Sequence, residues 1–164
     1  MAILVQDGRI AVATAILKQP IHLAWGSGNP AWDSKANPDD PSTTQTGLIK
    51  EIARRKANQV QYCERVSSNG SIFVNKDQFN LTTTPTNFLY IRVAFEYADA
   101  AGEAIRELGV FVGTQFLNTP ASPDYFLPGD IDPANPGQLL VVENIQKLQR
   151  SQDIRQQFEF VIQF

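Results

Sequence analysis

Few side chains in this sequence are suited to chemistry, because it contains one histidine, His22, and one cysteine, Cys63. A zinc site needs several Cys or His ligands, and this chain has one of each. A nucleophilic pair would require Cys63 to meet His22, but the residues around the cysteine, Gln61-Tyr62-Cys63-Glu64, match no catalytic signature. We therefore interpret both side chains as structural.

Carboxylates give a second route to catalysis, and several of them fall in predicted loops: Asp39, Asp40, Asp124, Asp130 and Asp132. A glycosidase needs two carboxylates facing each other across a sugar, so a hydrolase stays open as an alternative. Asp130-Ile131-Asp132 lacks the ligand ladder and terminal Glu of a calcium loop. Gly26-Ser27-Gly28 is followed by Asn29-Pro30, whereas a phosphate-binding loop needs a third glycine and a helix. We predict no catalytic residue, no metal and no cofactor.

Composition indicates one folded domain over residues 1–164, with 43% apolar and 19% charged residues. The net charge of −3 does not provide the basic footprint of a nucleic-acid-binding protein. The basic cluster Arg54-Arg55-Lys56 is interpreted as a solvated face. A single cysteine fits synthesis in a reducing cytosol. We expect no signal peptide and no membrane span, since no apolar run approaches about 20 residues.

Alternation of apolar and polar side chains is the main structural signal, and it predicts strands. It is clearest in residues 88–97 and 158–164, and the second segment is expected to lie in the core. Further strands are predicted around Ile21–Trp25, Val60–Val66, Ile72–Val74, Leu108–Val112 and Leu139–Val142. The turn residues predict that 60–66 and 72–74 form a hairpin, and that 108–112 pairs with the strand ending at Tyr97.

Helices are predicted to be short and few. Residues 10–17 fit either a strand or a short helix. A helix is predicted over Gly47–Lys56, with Thr46 as N-cap, and a second one over Val142–Leu148. The expected fold class is therefore mainly β: an antiparallel β-sandwich or open barrel with one or two short helices.

Two long loops rich in proline, residues 26–46 and 114–137, are the predicted contact regions. The second contains Pro120, Pro123, Pro128, Pro133 and Pro136. Their aromatic residues Trp32, Tyr125 and Phe126 are suited to contacting partners, whereas Trp25 continues a strand pattern and is expected in the core. An alternative is that these loops cap the open ends of a sandwich.

Two segments of the chain resemble a known class of proteins. They are Leu23-Ala24-Trp25-Gly26, with the trailing Pro30-Ala31-Trp32-Asp33, and Arg106-Glu107-Leu108-Gly109-Val110-Phe111. Together they resemble baseplate and tail-associated proteins of contractile-tailed bacteriophages. The second is similar to a segment in the baseplate-attaching regions of some phage tail fibres, although this chain lacks the repetitive shaft of a complete fibre.

The resemblance implies a non-enzymatic β-rich virion component, present in several copies and made in the host bacterial cytoplasm. Its expected partners are tube, sheath or baseplate proteins and copies of itself, with neither nucleic acid nor membrane among them. The predicted interface residues are Trp32, Asp33, Arg106, Glu107, Tyr125 and Phe126. Arg106 and Glu107 alternatively form an exposed charge pair within one strand. Alternative functions are a carbohydrate-binding adsorption module on the tail and a neck or head–tail connector.

Overall fold

The computed structural model describes residues 1–74, 76–118 and 124–164. Within these ranges the chain forms one α-helix, α1 (Gln6–Leu17), and short 3₁₀ helices at Pro30–Ser34 and Pro128–Asp130. The strands are β1 (Ile21–Gly26), β2 (Glu51–Lys56), β3 (Gln59–Val66), β4 (Ile72–Val74), β5 (Asp77–Leu81), β6 (Phe88–Phe95), β7 (Ala104–Val112), β8 (Tyr125–Phe126), β9 (Gln138–Gln149) and β10 (Gln156–Gln163). The predicted mainly β class with antiparallel sheets is confirmed.

Two compact units divide the chain, and the backbone passes between them more than once. Unit 1 comprises Met1–Gln19, Ala57–Val93 and Gln157–Phe164, and unit 2 comprises Pro20–Lys56 and Ala94–Gln156. The expectation of a single domain over 1–164 stays a prediction.

Unit 2 is built on a five-stranded sheet in the order β8-β2-β1-β7-β9. β1 lies in its middle and is buried along its whole length, so its side chains are apolar on both faces apart from His22. Trp25 is 0% exposed and packs on Phe95, with ring centroids 3.2 Å apart, which confirms its predicted place in the core.

Unit 1 has a second five-stranded sheet, in the order β10-β6-β3-β5-β4. The buried side chains of α1 and of this sheet form one apolar cluster: Ala13, Tyr62 and Leu89, with Ile16, Leu17 and Phe164 packed against them. A second cluster joins Cys63, Ile72, Phe79 and Tyr90, with Val74, Phe88 and Val161 at its margin. Alternating side chains of β3 and β6 thus supply both clusters.

Two predicted helices are strands in the structure. Residues 51–56 form β2, which pairs with β1 on one side and β8 on the other, so the predicted helix over Gly47–Lys56 is wrong. Residues 142–148 belong to β9, which pairs with β7. In both cases inter-strand pairing overrides a helical spacing of only a few apolar residues. Residues 10–17, which fit either class, are helical in α1.

Two predicted strand pairings are also wrong. β5 lies between β3 and β4 in the sheet and pairs with both, so β3 and β4 do not form a hairpin. β7 pairs with β1 and β9, not with β6. Each error follows from assuming that neighbours in sequence are neighbours in the sheet, which is a tendency only.

Two burial expectations need correction. The predicted strand over 158–164 exists as β10, but its phenylalanines are half-buried, because β10 is an edge strand of its sheet. The apolar run Leu139–Val142 lies in the edge strand β9 and is likewise half-buried. Tyr97 lies beyond the end of β6 and is 52% exposed.

Candidate functional site

The two segments that carry the resemblance are neighbours in the sheet of unit 2. β1 and β7 run antiparallel, with Gly26 opposite Glu107, Trp25 opposite Leu108 and Ala24 opposite Gly109. The loop that follows β1 therefore starts beside the first residues of the second segment. This pairing brings four of the predicted interface residues, Trp32, Asp33, Arg106 and Glu107, into one region of unit 2.

Arg106 holds the loop after β1 through both polar edges of its guanidinium group. Its Nε and Nη2 donate to the two carboxylate oxygens of Asp33 at 2.6 and 2.7 Å, and Nη1 donates to the Ser27 carbonyl at 2.9 Å. The hydrogen bond from Arg106 lowers the pKa of Asp33, so the carboxylate stays charged. This bidentate geometry fixes both distance and orientation.

Glu107 is fully buried and binds the same loop further along. Its carboxylate oxygens accept from the backbone N–H groups of Ile49 at 3.0 Å and Lys50 at 3.4 Å. Gly26 allows this approach, because a Cβ there would lie 2.6 Å from Oε2 of Glu107. The alternative of an exposed Arg106–Glu107 charge pair is wrong, since the two side chains bind separate parts of the loop.

Trp32 is buried, with 5% of its surface exposed, although the sequence placed it in a contact loop. Its Nε1 donates to Asp39 at 3.0 Å, which closes the loop onto itself. Gly28 supplies the space: it has a φ of +55°, and a Cβ there would lie 2.8 Å from the Trp32 ring. Trp32 thus acts within the loop as an anchor of its shape.

Tyr125 and Phe126 form β8, the edge strand beside β2. The Tyr125 hydroxyl accepts from the Ala100 N–H at 3.1 Å and is half-buried, while Phe126 is 8% exposed. Phe126 stacks on Phe116, with centroids 3.5 Å apart. These contacts fix the second predicted loop on the sheet. Pro120 and Pro123 of that loop lie outside the described residues.

His22 packs edge-on against both stacked rings, at 5.0 Å from Phe116 and 5.7 Å from Phe126. It is 2% exposed. Burial, together with the positive charges of Arg54 and Lys56, lowers its pKa from 6.5 to about 4. The ring is therefore neutral at pH 7. It packs beneath the second loop and helps to hold that loop in place.

Sequence reasoning missed the two buried arginines of β2, which it interpreted as a solvated face. Arg54 donates to Glu51 at 2.7 Å, to Thr114 at 2.8 Å and to the Pro136 carbonyl at 2.6 Å. Its guanidinium carbon also lies 3.5 Å from the centre of the Phe111 ring. Arg54 is thereby bound to both ends of the second loop. No periodicity in the sequence marks it, because its partners lie up to 82 positions away.

Arg55 and Arg150 hold the turn after β6. Arg55 binds the Asp99 carboxylate at 2.6 Å, and both side chains are buried. Arg150 donates to the carbonyl groups of Glu96 and Ile154, each at 2.8 Å. Arginine suits this task, because one rigid group satisfies several buried acceptors.

Two exposed leucines of the second loop bond to the same residue, Asp130, and we call Leu117 and Leu127 the leucine patch. They are 59% and 54% exposed. Asp130 joins them: its carbonyl accepts from the Leu117 N–H and its carboxylate from the Leu127 N–H, both at 2.9 Å. The residue before each leucine is a stacked phenylalanine, Phe116 or Phe126. No local pattern in the sequence marks this patch, because nine residues lie between the two leucines.

Three of the loop carboxylates, Asp39, Asp130 and Asp132, bond to groups of their own loops. Asp39 accepts from Trp32 and Lys35, Asp130 from Leu127, and Asp132 from the Ala134 N–H. In residues 1–74, 76–118 and 124–164, no three His, Cys, Asp or Glu side chains are grouped to bind a metal ion. None of the helices in those ranges is long enough to span a membrane.

Comparison with families of known proteins places this chain in one of them. A family model described as "Baseplate wedge 3 tail fiber network component" matches residues 1–164. No curated protein matches the chain. The match confirms the resemblance to phage tail and baseplate proteins. The chain therefore belongs to the baseplate wedge 3 tail fiber network component family and is a structural component of the phage baseplate.

Proposed function

We propose that this chain works without catalysis, by holding tube, sheath or other baseplate proteins, and further copies of itself, at fixed positions in the virion. The family supports contacts with other virion proteins. The net charge of −3 favours protein partners over nucleic acid or anionic membrane surfaces. Synthesis in the host bacterial cytoplasm fits a buried, unpaired Cys63 thiol.

The leucine patch is the observation on which the proposed contact rests. More than half of each leucine side chain is exposed, yet Asp130 and the stacked rings hold both in place. An apolar surface that is already ordered loses little conformational entropy when a partner covers it. The leucine patch is therefore suited to being a permanent contact with a neighbouring virion protein.

The six predicted interface residues serve this contact indirectly in our proposal. Five of them donate to, accept from or stack against another part of unit 2: Asp33, Arg106, Glu107, Tyr125 and Phe126. Trp32 binds Asp39 within its own loop. We propose that they fix the shapes of two loops, and that exposed side chains on those loops touch the partner. Their role as interface residues stays a prediction.

Particle assembly tests the proposal. Phage lacking this gene would be complemented with a chain carrying both Leu117→Ser and Leu127→Ser, and purified particles would be analysed by quantitative mass spectrometry. Each substitution should weaken binding to the partner by about 1 kcal/mol, because about half of each leucine is still free to be buried in the contact. The double variant should therefore bind its partner about 30-fold more weakly and be depleted from particles.

Phe73→Ser is the matched control, because Phe73 is an apolar side chain of unit 1 that is 67% exposed. It should enter particles as well as the unchanged chain does. Thermal melting of each purified variant checks that folding is intact. Normal incorporation of the double leucine variant, or equal depletion of the Phe73 variant, would contradict the assignment of the contact to the leucine patch.

A further inference from the structure

The helix α1 is apolar on both its inner and its outer side. From Ile10 to Leu17 every residue except Thr14 is apolar. The inner side packs on the sheet of unit 1 through Ala13, Ile16 and Leu17. A helix that is apolar on all sides is normally buried on all sides. The outer side of α1 is therefore expected to be covered by another protein surface.

The outer side of α1 consists of Ala11, Val12 and Ala15, all of which are exposed. Positions 11, 12 and 15 share one face, because residues three and four apart are neighbours on a helix. The residues just before the helix are also apolar and exposed: Ile3, Leu4 and Val5 are 84%, 53% and 63% exposed. A group of exposed apolar side chains on one face of a helix marks a protein contact.

The charges that flank this face are complementary to each other. Asp7 lies in the first turn of α1, and Lys18 is its C-terminal cap residue; both are exposed. They are separated by three turns, so they lie on the same side of the helix at opposite ends. If two such helices pack antiparallel, each Asp7 meets the Lys18 of the other helix, and the helix dipoles are also opposed.

We infer that the outer side of α1 is the contact between two copies of this chain, packed antiparallel about a two-fold axis. The small side chains of Ala11 and Ala15 allow the helices to approach closely around Val12. The two-fold symmetry uses one patch twice, as in most homodimers. The inference deepens the proposed function, because it assigns the self-association in that proposal to a surface of unit 1.

Sedimentation velocity of the purified full chain over a range of concentrations tests this contact. The unchanged chain should show a monomer–dimer equilibrium. Val12→Asp should weaken dimerisation at least about tenfold, because it places a like-charge pair at the centre of an apolar contact. Val12 is 40% exposed, so the monomer should keep its fold, as circular dichroism and thermal melting would show. Phe73→Asp, on β4, is the control and should leave the dimer intact.

A charge exchange tests the antiparallel arrangement without changing the apolar surface. Asp7→Lys alone and Lys18→Asp alone should each weaken the dimer, and the two together should restore it. A chain that stays monomeric at every concentration, a Val12→Asp dimer of normal affinity, or a double exchange that fails to restore pairing would overturn the inference. A monomeric chain that still needs Leu117 and Leu127 to enter particles would overturn this inference alone and leave the proposed function standing.

Discussion

The two units of this chain are stabilised by different kinds of contact. In the part of the chain that the structure describes, every buried charged side chain lies in unit 2: Arg54, Arg55, Asp99, Arg106, Glu107 and Arg150. Unit 1 buries apolar side chains, and Asn87 is the buried polar residue described there. Apolar packing is sufficient for a sheet covered by a helix. Long loops lack a backbone ladder of their own, so unit 2 fixes them with directional side-chain bonds.

The largest expected effect on stability comes from breaking a buried ion pair of unit 2, and the comparison is an exposed ion pair of unit 1. Asp99→Ala leaves the charge of Arg55 buried without its partner, which should lower the free energy of unfolding by about 3–5 kcal/mol. Asp77→Ala removes the exposed partner of Arg65 and should cost no more than about 1 kcal/mol. Urea unfolding measures both. Similar losses for the two variants would break the contrast between the units.

The pH dependence of stability should be centred on unit 2, through His22. Its pKa is 6.5 in an unfolded chain and about 4 in the folded one. Above pH 6.5 the His22 ring is neutral in both the folded and the unfolded chain, so it does not lower the free energy of unfolding. As the pH falls from 6.5 to 4 the unfolded state takes up the proton first, so stability falls by about 3 kcal/mol. His22→Gln should lose this part of the slope, leaving the share that carboxylates contribute. An unchanged slope in that variant would exclude His22 as the cause.

A smaller effect is expected in unit 1 from Phe160→Ala in β10. The sequence alone predicts a core position for this strand, where replacing a phenylalanine with alanine costs about 3–5 kcal/mol. Phe160 is half-buried, so we now expect about 2 kcal/mol, because only part of the ring loses water on folding. Leu89→Ala, at a fully buried position of the same unit, is the comparison and should cost more. Equal costs would show that the edge strand is covered as well as the centre of the sheet.

The smallest expected effect is the absence of any difference between two urea midpoints. This comparison tests the prediction of one domain. Both tryptophans, Trp25 and Trp32, lie in unit 2, whereas the only cysteine, Cys63, lies in unit 1. Burial raises the pKa of the Cys63 thiol to about 11, so disulfide reagents should label it only after unit 1 opens. In a single cooperative domain, the urea midpoints from tryptophan fluorescence and thiol labelling coincide. Two separate midpoints would mean that each unit unfolds independently.

Much of the fold was predictable, because several strands have one face in a core and the other in a different environment. β6 shows this most clearly: Leu89, Ile91, Val93 and Phe95 are fully buried, as their alternation predicts. β2 could not be predicted this way, since Ala53, Arg54 and Arg55 are buried in succession and leave no alternation. α1 is ambiguous for the opposite reason, because apolar residues at nearly every position fit both periods.

The sequence indicated which segments of the chain form the candidate site. It did not indicate which side chains are buried there or what they bind. The aromatic residues and loop lengths drew attention to the two loops that carry the candidate site, and the two resembling segments proved to lie on adjacent strands. The burial of Arg106 and Glu107 was not predictable, because their partners are a carboxylate 73 positions away and backbone N–H groups 57 and 58 positions away. Such pairs depend on tertiary folding and leave no trace in local spacing.

Neither unit is a continuous segment of the chain, and this has a consequence for synthesis on the ribosome. Unit 1 begins with Met1–Gln19 but takes its edge strand from Gln157–Phe164, which is translated after all of unit 2. Until those residues emerge, β6 has a free edge, and Phe164 is not yet packed beside α1. A nascent chain, or one that terminates before Gln157, therefore cannot complete the sheet of unit 1.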